Sequence, residues 1–308
     1  MNYNEKLSLR KTCSGLGFLV FACAVLMFII SYSMSIVSGI FGINPLNATI
    51  EPITSSLNSI VSLFIVGTIY CKLSSSDMSM LVPVSRVNAG LLWCLVHITL
   101  TVSFISSYMT DIVLNNLSFI GITSKPFPES DYSGGFPVLL QIISVAVVPA
   151  LVEEFLFRGI ILHKLLPYGT SFAIIVSTSL FALLHGNIVQ IPFAFIGGLA
   201  MAFSVVKTNS LLPSIISHFI INLFSVALDA ANYYEVPTHI INSFYFILLL
   251  VIVSGGILSA IILSSNKELF NIKSKRYKFK ECIGVCLSSV GVIFTGIYLI
   301  LRTVLYTL

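Results

Sequence analysis

Charge is what this sequence lacks. Its 16 Lys and Arg and 12 Asp and Glu make up 9% of 308 residues, against about 25% in an ordinary soluble domain, while 56% of the chain is apolar. So few charged groups cannot cover that much apolar surface in water, which excludes a cytosolic α/β enzyme, a nucleic-acid-binding protein and a disordered regulator. Lipid is the solvent that fits. Also missing are a CxxC pair, an HExxH motif, an internal repeat, a low-complexity tract and an inserted soluble domain. The first two absences remove the common thiol-redox and zinc patterns. The lack of a repeat argues against a transporter built from two matched halves.

What is present is a series of apolar runs. Nine are long enough to cross a bilayer: 15–38, 56–72, 89–113, 136–163, 170–187, 188–206, 210–230, 239–264 and 282–303. They mix Leu, Ile, Val, Phe, Gly and Ser without the alternation of barrel strands, so the expected fold is an all-α polytopic membrane bundle of about nine helices, with eight as the variant. The first run, 24 residues long, exceeds a signal-peptide core of about 7–15 residues and reads as a retained anchor. Three regions are expected: N-terminal helices over 1–135, a core over 136–230 and C-terminal helices over 231–308.

Basic residues set the orientation. With the N-terminus cytoplasmic, 13 of the 16 Lys and Arg fall inside, including the cluster Lys267, Lys273, Lys275, Arg276, Lys278 and Lys280. Only Lys125 and Arg302 fall outside, and Arg158 lies within a span. The cluster could hold anionic membrane lipids, although the orientation rule alone accounts for it. The six cysteines lie in or beside spans as small packing residues; Cys282 and Cys286 share a helix face, and two thiols close no zinc site. Low Ala and abundant Ile, Ser and Asn lean toward a bacterial cell membrane.

Ionisable groups at membrane depth are functional candidates, because each is costly there. They are Glu153, Glu154 and Arg158 in the fourth run, His185 at the end of the fifth, His218 in the seventh and His97 in the third, joined by the polar Asn222. Glu154 and Arg158 stand at i and i+4 with the acid first, the favourable order for an ion pair. Glu153 is rotated about 100° from Glu154, so it faces a different partner. His218 and Asn222 share one face, as do Phe181 and His185. Pro149 frees the carbonyl of Val145 and is expected to kink its helix, while Gly159 admits a close backbone.

A carboxylate held away from bulk water is suited to act as general base toward water, particularly beside an imidazole. A second His and an Asn carboxamide can donate to an oxygen gaining charge, as amide hydrolysis requires. Alternatively, Glu153, His185 and His218 are of the kinds that bind catalytic zinc with an open position for water, so the cofactor is none or a divalent metal such as zinc.

Three motifs in order, Glu153-Glu154-x-x-x-Arg158, Phe181-x-x-x-His185 and His218-x-x-x-Asn222, resemble the CPBP family of intramembrane proteases. That family includes the type II CAAX prenyl endopeptidases and the Abi or bacteriocin-processing proteins. The resemblance covers roughly 136–228. It implies an all-helical membrane fold in which Glu153 activates water with help from His185, His218 and Asn222 stabilise the oxyanion, and Glu154 and Arg158 shape and balance the site. It further implies a hydrophobic or lipidated peptide substrate, and is compatible with either a glutamate-dependent or a metal-dependent endopeptidase.

Straight spans would put Glu153 in the inner half of the bilayer and His185 nearer the outer face, so one of the two helices must be shifted, tilted or broken. Two other classes remain open from the sequence: a non-proteolytic membrane regulator or bacteriocin-immunity protein, and a proton-coupled transporter relaying through Glu153 and His218.

Overall fold

The computed structural model describes residues 1–44, 46–119, 132–133, 136–265 and 277–307. Lys125 and four of the clustered basic residues, Lys267, Lys273, Lys275 and Arg276, lie outside them. Lipid offers a backbone no hydrogen-bond partner, so the apolar runs close their bonds within themselves as helices. These are α1 (Tyr3–Phe41), α2 (Ile50–Leu73), the one-turn α3 (Met78–Leu81), α4 (Ala89–Ser118), α5 (Pro137–Tyr168), α6 (Thr170–Leu184), α7 (Gln190–Thr208), α8 (Leu212–Tyr233), α9 (Thr238–Ser264), α10 (Phe279–Leu287) and α11 (Val290–Thr307).

Each of the nine apolar runs therefore coincides with helix, and the protein is an all-α polytopic bundle integral to a membrane. Among the described residues, seven helices are individually long and apolar enough to cross, and eight if α10 and α11 count as one span. The count is lower than nine for two physical reasons. α6 has only 15 residues, about 22 Å at 1.5 Å per residue, which is short of a hydrocarbon core of about 30 Å. The last run is broken by a 73° bend between α10 and α11, where Ser288 and Ser289 interrupt the apolar sequence.

α5 is the centre of the bundle. Every residue from Phe155 to Leu162 is buried, so these roughly two turns are surrounded on all sides. α8 packs along its first half, α6 along its second, and α2 lies across it on another side. α7 bridges α6, α4 and α8, while α11 runs along α1 and reaches α6. α9 packs chiefly on α4.

Two stretches of α5, Ile142–Val147 and Phe155–Ile161, are wound as π-helix. They flank the segment that carries Pro149, Glu153 and Glu154, the placement such wide turns often have around functional groups. Close backbone approach is seen where Gly159 faces α3: a Cβ there would lie 3.3 Å from the Leu81 carbonyl oxygen. The chain after α3 is tied to the start of α8 by Leu211 N–H donating to the Pro83 carbonyl at 2.9 Å.

Candidate active site

The charged residues of α5 meet α8 in the middle of the bundle. Arg158 Nη1 lies 3.0 Å from Glu154 Oε1, and both side chains are buried to within 1% of complete. The same Glu154 oxygen accepts from His218 Nδ1 at 2.9 Å. A carboxylate with a guanidinium and an imidazole on one oxygen is an acceptor, so His218 carries its proton on Nδ1 and turns Nε2 away. That nitrogen faces Glu153, with Oε2 at 3.9 Å. The two neighbouring carboxylates thus address opposite nitrogens of one ring, as their 100° separation on the helix demands.

Arg158 is held from its other side as well. Nη2 donates to the Gly198 carbonyl at 3.4 Å, and the guanidinium carbon sits 4.1 Å from the centroid of the Phe181 ring. Gly198 makes this possible, because a Cβ there would stand 3.0 Å from Nη2 and 2.9 Å from Thr178 Cγ2. Phe181 also meets His185 and His218 edge to face, at centroid distances of 4.9 and 6.0 Å. The aromatic residue of the second motif is thus the platform on which arginine and both histidines are arranged.

His185 follows the last turn of α6, with Nδ1 bonded to the Phe181 carbonyl at 3.0 Å. The ring nitrogen must donate there, leaving Nε2 as the free position. Glu153, His218 and Arg158 are among the charged and titratable groups around it. The short α6 resolves the depth conflict of straight spans: the helix ends before it has crossed, so its terminal histidine remains at the level of the α5 carboxylates.

Asn222 has a definite partner. Its Nδ2 donates to the Val145 carbonyl at 2.8 Å, the group that Pro149 leaves without its helical donor. One amide hydrogen remains for other use. His97 does not join the site: Nδ1 bonds the Trp93 carbonyl of its own helix, and the ring packs against Gly255 of α9.

A cavity of about 80 Å³ opens beside the histidines, walled by His185, His218, Asn222, Phe181, Met201 and Ser103, among others. Glu153 does not line it and approaches it past His218. Three oxygens here have no protein hydrogen-bond partner although they are buried: Glu153 Oε2, Glu154 Oε2 and Ser103 Oγ. Buried polar atoms left this way call for water, a proton or a ligand. Ser103 and Gly198 escaped the sequence reading, since serines and glycines are common throughout these helices and neither carries a distinctive spacing.

Glu153, His185 and His218 could in kind hold a metal, but among the described residues no three His, Cys, Asp or Glu gather into a metal-holding group. Both Nδ1 atoms are committed to oxygen acceptors, and the two remaining ring nitrogens and Glu153 do not close around a shared ion position. The arrangement does not fit one.

A polytopic helical bundle thus encloses paired glutamates, an arginine and two histidines beside a small cavity. Residues 135–224 match the family model described as type II CAAX prenyl endopeptidase Rce1-like. The match covers less than a third of the chain and includes all seven motif residues from Glu153 to Asn222. The similarity of this segment is to proteases of the CAAX type in general. No curated protein and no solved structure matches the chain.

Proposed function

We propose that the protein is a glutamate-dependent intramembrane endopeptidase in which Glu153 is the general base. The observation that carries this reading is the division of His218 between the two carboxylates, with Nδ1 fixed by Glu154 and Nε2 turned toward a Glu153 oxygen that has no other protein partner. Glu153 takes a proton from a water lying between it and the free Nε2 of His185, and the oxygen attacks the scissile carbonyl carbon. The cavity has room for such waters, each needing only about 10–15 Å³. Charge building on the carbonyl oxygen is met by the remaining amide hydrogen of Asn222 and by the adjoining His218 ring. The C–N bond then breaks as Glu153 returns the proton to the leaving nitrogen, giving a carboxylic acid and a neutral amine.

Glu154 and Arg158 stay outside the proton path. They fix the tautomer and the place of His218, and they neutralise one another in a region without water. The reaction belongs to segment 136–230, with 1–135 and 231–308 as flanking membrane helices. The substrate is a hydrophobic or lipidated peptide, of CAAX-like, pheromone or bacteriocin type, met in a bacterial cell membrane with the enzyme's N-terminus on the cytoplasmic side.

The test is cleavage of a quenched hydrophobic peptide library by purified wild type and by Glu153→Ala. Cleavage by wild type and loss of at least about a hundredfold in the variant is expected for removal of a general base. Equal cleavage by both would refute the role of Glu153. A wild type that cleaves nothing while Glu153→Ala keeps its phenotype in cells would favour a non-proteolytic regulator.

A further inference from the structure

We infer that Arg302, on the last helix and outside the family-matched segment, is the residue that positions His185. The inference rests on the reading of His185 as part of the hydrolytic centre. α6 stops at Leu184, and Gly186 follows in the left-handed region at φ 63°. The last carbonyls of any helix have no partner of their own, and within a membrane water cannot be relied on to supply one. Arg302 supplies it from α11: Nη2 donates to the Leu184 carbonyl at 3.0 Å and to the His185 carbonyl at 3.3 Å.

The fit extends to the turn itself. A Cβ at Gly186 would lie 2.6 Å from Arg302 Nε, 2.7 Å from Nη2 and 2.9 Å from Cζ, so the guanidinium occupies the space that a side chain would fill. Glycine therefore meets two demands at once, the left-handed turn and the seat of the arginine. Among the described residues Arg302 has no carboxylate partner, and its charge is set against the negative end of the α6 dipole.

This contact bears on the site because of how His185 is held. Its ring is bonded to the carbonyl of Phe181, one turn back on the same helix, so ring and final turn move together. Fixing the carbonyls of residues 184 and 185 fixes the backbone from which the ring projects, and with it the aim of Nε2. The sequence adds an independent pointer: Arg302 lies within the last apolar run, 282–303, where a charged side chain is costly. An arginine at that depth calls for a function.

The experiment compares wild type, Arg302→Gln and Arg302→Lys as full-length protein in detergent, with two readouts. Arg302→Gln should lower kcat roughly tenfold or more with KM little changed, as expected for a misaimed catalytic group, and Arg302→Lys, which keeps the charge and can reach a carbonyl, should fall between. Separately, with the five histidines ¹⁵N-labelled, Arg302→Gln should shift the His185 ring signals, assigned from His185→Asn, and leave those of His97 and His239 in place. The second readout needs no activity, so a failed protease reading and a failed positioning role give different results. Unmoved His185 signals overturn the inference, as does an unchanged kcat in Arg302→Gln against an active wild type. A loss confined to KM or to the folded fraction makes Arg302 a purely structural cap and overturns it as well.

Discussion

α5 and α9 are both long enough to cross a membrane, and they meet their surroundings in opposite ways. α9 has no Asp, Glu, Lys or Arg in 27 residues and buries only Ile252, Gly255, Gly256, Ser259 and Leu263. Its large side chains, such as Phe246, Ile247 and Ile261, face outward at about 60% exposure. α5 places three charges between residues 153 and 158 and is enclosed on every side just beyond them. In water the more apolar helix would be the inner one. In lipid the order reverses, because tails solvate Leu and Ile as well as a protein core does, and what draws helices together is small residues, close packing and polar groups that need partners. Each helix illustrates a part of that rule. α9 is joined to α4 by Gly255 and Gly256 seating His97 and Thr101, with the Thr101 hydroxyl donating to the Ile252 carbonyl. α5 is held by an ion pair shared with an imidazole and a glycine carbonyl.

The contrast can be broken by substitutions on either helix. The largest effect is expected for Glu154→Ala, which leaves the fully buried Arg158 without a counter-charge and should destabilise by about 3–5 kcal/mol, read as a fall in the thermal midpoint in detergent. A double variant, Glu154→Gln with Arg158→Met, should recover much of that loss, since no charge is stranded. Gly198→Ala comes next: its methyl must displace Thr178 and the Arg158 guanidinium, for about 1–3 kcal/mol and a clear loss of peptidase activity. Gly256→Ala is the counterpart on the lipid side. The methyl meets Thr101 and should loosen α9 from α4 by about 1 kcal/mol, with kcat per folded molecule unchanged. If Gly256→Ala lowers kcat more than Gly198→Ala does, the division between a catalytic centre and a lipid-facing flank is wrong.

The candidate site was legible for the same reason that the class was. In a chain with little charge, Glu153, Glu154, Arg158, His185 and His218 stand out, and their helical spacing already separates the directions in which the two glutamates point. Pro149 announces a freed carbonyl at Val145, but only tertiary packing brings Asn222 to it, 77 residues away. The apolar runs mark where helices lie without marking where their hydrogen-bond ladders end. That is why the shortness of α6, the break at Ser288 and Ser289 and the π-wound turns of α5 came only with the structure. Phe181 was visible as a motif residue, yet its contacts with Arg158 and both histidines depend on how three helices cross. Arg302 read as an exception to the orientation rule, and its partners are backbone carbonyls, which no pattern of side chains can point to.

The central claim is that two adjacent glutamates have separate duties, Glu153 chemical and Glu154 structural. Measuring kcat and the thermal midpoint side by side for Glu153→Gln and Glu154→Gln tests it most directly. The account predicts that Glu153→Gln loses at least about a hundredfold in kcat with its midpoint near that of wild type, whereas Glu154→Gln lowers the midpoint markedly. A Glu153→Gln protein that turns over peptide at the wild-type rate, or one that unfolds as early as Glu154→Gln, would contradict it.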